Sequence, residues 1–96
     1  MSQKVIVTTD ASIALKPLLE SAIQSELRML ELSLAWTAQH LRAFEERFGM
    51  TSEEFERRFI AGEIGETLDF IEWTGEIKTY HLLKAQQQAL KKVQLH

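Results

Sequence analysis

The stretch MLELSLAW occupies residues 29–36. Leu30 and Leu34 stand four apart, as do Leu32 and Trp36, while Met29 and Leu32 stand three apart. Steps of three and four return to one face of an α-helix. Two such sets interleave here, so the helix is apolar on two sides. One side makes a core. The other needs a cover that a chain of 96 residues has few elements to supply.

The first set extends in both directions. Ile23, Leu27, Leu30, Leu34, Thr37, Leu41, Phe44 and Phe48 follow 4-3-4-3-4-3-4 spacing, with Thr37 the one polar member. A mean period of 3.5 residues over this length predicts helix-on-helix packing with a left-handed twist. It is the expected core stripe of a helical hairpin or small bundle. The second set is Leu18, Ala22, Ser25, Met29, Leu32 and Trp36, spaced 4-3-4-3-4 and lying roughly opposite the first. Beyond Trp36 its next positions, Gln39 and Ala43, are polar or small. The helix is thus two-faced in its first half and one-faced in its second.

The flanking sequence sets the other elements. The first helix is expected over residues 15–48, with Asp10 or Ser12 as cap, Pro17 in the first turn and Gly49 as terminator. TSEEFERRFIAG is a short helix. Thr51 and Glu54 have capping-box spacing, and Glu53 with Arg57 and Glu54 with Arg58 form i,i+4 pairs. Gly62 and Gly65 mark the turns that follow. A third helix is expected over residues 67–95, with Phe70, Trp73, Ile77, Tyr80, Leu83, Leu90 and Val93 as its apolar stripe and Gly75 as a point of bend or break. Residues 1–10 are expected to be an extended or flexible segment. KVIVTT, residues 4–9, is β-branched, and no second convincing strand stands ready to pair with it. The fold class is therefore all-α: long helix, short helix, long helix, in one domain over 1–96.

Composition narrows the function. Cysteine is absent, which removes disulfides, thiolate metal sites and cysteine nucleophiles. The charge of -3 lacks the basic footprint of a nucleic-acid binder, so no direct nucleic-acid contact is expected. No apolar run is long enough to span a bilayer, and the first residues lack the pattern of a signal peptide, so a cytoplasmic protein without a membrane partner is expected. His40, His81 and His96 have no helical carboxylate or histidine partner at metal-ligand spacing. No phosphate loop or nucleophile elbow is present. The glutamates sit at helical spacing beside arginines, the pattern of a solvated face. Neither an enzyme nor a cofactor nor a metal is expected.

The second stripe is the main functional signal. Leu18, Met29, Leu32 and Trp36 are the expected partner-binding residues, because leaving large apolar groups wet costs ~1.5–3 kcal/mol each. Such patches usually mark interfaces. Cover by KVIVTT folding back is the alternative.

The segment RFGMTSEEFERRFIAGEIGETLDFIEW, residues 47–73, resembles a family of short prokaryotic proteins presumed to be antitoxins of type II toxin–antitoxin pairs. The matching residues are Gly49, Met50, Ser52, Glu53, Glu54, Phe55, Phe59, Gly62, Glu63, Gly65, Glu72 and Trp73. The match covers under a third of the chain, and the acidic run after the glycine turn is shorter here, with Glu66 and Asp69 alone. The resemblance implies a non-catalytic protein that binds and neutralises a partner toxin, such as a ribonuclease. Two other functions fit the same residues: a self-associating structural protein that dimerises through helix one, and a small chaperone or adaptor.

Overall fold

The structure, a computed structural model, describes the backbone of residues 3–5 and 12–95 and the side chains of 15–93. Three helices dominate: α1 (Ser12–Phe48), α2 (Ser52–Ile60) and α3 (Leu68–Lys91). Helices α1 and α3 pack as a hairpin, and α2 sits across its closed end. The all-α hairpin is the expected architecture. It is a rod of 60 × 22 × 18 Å with a radius of gyration of 18.8 Å, against ~12–13 Å for a compact domain of this length.

The two turns are built as their residues require. Gly49 has φ +68° and Gly62 has φ +75°, a region that disfavours side chains with a Cβ. Thr51 caps α2, its Oγ1 accepting from the Glu54 amide at 3.1 Å. Thr67 caps α3 in the same way, accepting from Phe70 at 3.1 Å.

Several local expectations are corrected. Helix α1 begins at Ser12, so Pro17 lies inside it and not in its first turn. Proline has no N–H to give the carbonyl four residues back, which weakens the helix there. The capping box is half formed. The Glu54 carboxylate accepts from Arg57 and Arg58 at 2.8 Å, where two guanidinium groups outbid one backbone amide. Arg57 takes Glu54 and Glu63 as partners in place of Glu53. Gly75 does not break α3, which is continuous from Leu68 to Lys91. That helix stops short of residue 95. The chain turns at Lys92, and β2 (Val93–Leu95) pairs in parallel with β1 (Gln3–Val5), Gln3 opposite Val93 and Val5 opposite Leu95. A strand partner for the N-terminal segment therefore exists at the far end of the chain. The remainder of that segment lies outside the described residues.

The core sits at the closed end. Phe55 and Trp73 are fully buried, Ile77 nearly so, and Leu41, Phe44, Phe48, Met50, Phe59, Ile64 and Phe70 close around them. Trp73 stacks on Phe55 and on Phe44, with ring centroids 4.0 and 5.5 Å away. Leu30, Leu34 and Thr37 carry the buried seam up the hairpin. Thr37 is accommodated because its hydroxyl donates to the Ser33 carbonyl at 2.9 Å. Every member of the expected core stripe of α1 is buried or half-buried.

Candidate docking surface on the first helix

The second stripe of α1 faces solvent. Leu18 is 65 % exposed, Met29 62 %, Leu32 73 % and Trp36 65 %, with Ala22 and Ser25 exposed between them. Among the described residues, nothing covers these side chains. Of KVIVTT, the expected internal cover, Lys4 and Val5 are paired with β2 instead, and the rest lies outside the described residues.

Geometry divides the stripe in two. Met29, Leu32 and Trp36 lie within two turns and form one apolar patch. Leu18 lies eleven residues before Met29, or ~16 Å along the axis, with Ala22 and Ser25 as the stripe members between. Beside the patch, Leu32, Ser33, Trp36 and Thr37 of α1 line a shallow groove with Thr79 and Leu83 of α3. Those two α3 residues were not among the expected docking residues. Leu83 belongs to the apolar stripe of α3, and only the packing shows that the stripe's edge opens into this groove.

Trp36 is the largest exposed side chain of the patch. Its ring meets His40 edge-on, centroids 5.3 Å apart. The His40 Nδ1 in turn lies 3.4 Å from the Glu76 carboxylate of α3. His40 is half-buried at the boundary of the hairpin.

Two other surfaces stand apart from this patch. A cleft of about 270 Å³ lies where the three helices meet, over Leu41 and Ile77. Arg42, Glu45, Glu53, Glu56, Tyr80 and His81 line it. Glu45 is committed to the fold, since its carboxylate accepts from the Ser52 amide at 2.8 Å. Among the described residues, no group of three or more histidines and carboxylates is placed to hold a metal ion. The second surface is apolar: Ile60, Leu68 and Ile71 are exposed near the α2–α3 turn, split between two elements so that no stripe marks them in the sequence. No described helix is long and apolar enough to cross a membrane.

No family model, curated protein or solved structure matches the chain.

Proposed function

We propose that the chain is a non-catalytic protein-binding module, and that the outer face of α1 receives another protein chain. The observation that carries this reading is the exposure of Met29, Leu32 and Trp36 on one face of a well-packed helix. Clustered apolar anchors of this kind supply most of the energy of an interface once they are desolvated. Methionine and tryptophan are also enriched in interface centres.

The most concrete form is an antitoxin, which the resemblance over residues 47–73 favours. It works by stoichiometric masking. The apolar anchors are buried against the toxin, and exposed carboxylates such as Glu53, Glu66 and Glu72 face basic groups on it. Glu54 takes no part, being held by its own two arginines. Complementary charge speeds encounter and selects the partner more than it sets affinity. Self-association is the second reading, favoured by the elongation of the rod.

Co-expression tests the antitoxin form. The reading frame adjacent to this one is expressed alone and together with this chain. Growth arrest alone, rescue together and co-purification of the two products are expected. Absence of toxicity or of a complex would contradict it.

A further inference from the structure

The docking reading does not say what occupies the α1 face when the protein is alone. Resting on that reading, we propose that a second copy of this chain occupies it in the free protein, with the two α1 helices antiparallel about a two-fold axis at the level of residue 27. In the antitoxin form, a toxin would compete with that second copy for the face.

The first support is surface area. The chain exposes 7072 Å², roughly 1,400 Å² more than the ~5,700 Å² usual for a folded monomer of its mass. A standard interface removes ~800 Å² per partner. The surplus exceeds what a stable dimer needs, and an elongated hairpin laid against its copy is thicker and less exposed.

The second support is the order of side chains along the stripe. In an antiparallel pair crossing at residue 27, Leu18 meets the partner's Trp36, Ala22 meets the partner's Leu32, and Ser25 meets the partner's Met29. Each large residue in the middle of the seam faces a small one. The contact is isologous, as a two-fold dimer requires. A parallel pair would instead set Trp36 on Trp36 and Ala22 on Ala22, alternating crowding with voids. Size complementarity therefore selects the antiparallel arrangement. The flanking charges give no ion pairs at the axis: Glu26 borders one side of the seam and Arg28 the other, so each approaches its own copy. A dimer held by apolar anchors and opposed slightly by rim charge should persist as salt is raised.

The test uses the full chain. Sedimentation equilibrium is expected to show a dimer at low and at high salt. The chain has no cysteine of its own, so introduced thiols report the register without interference. Ser25→Cys mixed with Met29→Cys should oxidise to a mixed disulfide, because these positions face each other. Ser25→Cys alone should crosslink poorly, its two copies being offset along the axis beyond disulfide reach. A dimer in which Ser25→Cys crosslinks to itself, or in which the mixture fails to crosslink, overturns the antiparallel pairing. A monomer that still binds a co-encoded protein through Leu32 and Trp36 overturns the self-pairing and leaves the docking reading standing. A dimer indifferent to charges at Leu32 and Trp36 overturns the self-pairing, and binding of the co-encoded protein that is equally indifferent overturns the docking reading as well.

Discussion

Trp73 lies face to face with Phe55, their ring centroids 4.0 Å apart and their planes 3° from parallel. Its indole Nε1–H donates to Ser52 Oγ at 3.0 Å. One hydroxyl at the start of α2 thus satisfies the one polar atom of the largest buried side chain. Ser52→Ala leaves that N–H buried without a partner and should cost about 1–3 kcal/mol. The shift of the urea midpoint at constant slope measures it. A midpoint unchanged from wild type would mean that the indole N–H finds another acceptor.

The stripe of α1 has a graded energetic profile. Leu34 is buried and Leu41 only half-buried. Leu34→Ala should cost ~2–5 kcal/mol, through lost burial and a residual cavity, and Leu41→Ala less. Thermal unfolding of both variants within a degree of wild type would remove this stripe from the core.

Two glycines should respond with opposite signs. Gly75 lies in a continuous helix, and a Cβ there would meet nothing within 4 Å. Gly75→Ala should stabilise by about 1 kcal/mol through helix propensity. Gly49 is equally open, but its φ of +68° disfavours any L side chain. Gly49→Ala should destabilise by ~1–2 kcal/mol. Chemical denaturation of the two variants side by side reads the sign of each.

The cap and the ion cluster of α2 act at different pH. Thr51→Ala should cost ~0.5–2 kcal/mol across the neutral range, since it removes the acceptor for the Glu54 amide. Hydrogen bonds from Arg57 and then Arg58 hold the Glu54 carboxyl down from 4.5 to about 2. A depressed folded pKa stabilises above the ordinary carboxylate value and loses that contribution as pH falls toward the folded value. Melting temperature should therefore drop between about pH 4.5 and 2, and Glu54→Gln should flatten that part of the profile. Parallel acid profiles for the variant and the wild type would place the loss in other carboxylates.

Much of the fold was legible because its signals are local or periodic. The Ile23-to-Phe48 stripe, the Thr51 cap and the Gly49 and Gly62 turns each need only a few neighbouring residues to be read. What was hidden depends on contacts distant in sequence. Val93–Leu95 pairs with Gln3–Val5 across nearly the whole chain, and three residues carry too little pattern to announce a strand. The choice of Glu54 between the Thr51 amide and two arginines is settled by side-chain geometry, which spacing does not contain. At the candidate docking surface, the exposure of Leu18, Met29, Leu32 and Trp36 followed from their phase on α1. The groove with Thr79 and Leu83 did not, because it depends on how α3 is rotated against α1.

The docking face itself is tested by Leu32→Glu combined with Trp36→Glu. A charge costs little on a wet surface, but a great deal when an interface buries it without a partner. Circular dichroism reports the helices, and sedimentation reports the assembly, alone and with the product of the adjacent reading frame. Helicity equal to wild type with assembly lost is the expected result. Helicity and assembly both retained would contradict the claim that this face of α1 docks another chain.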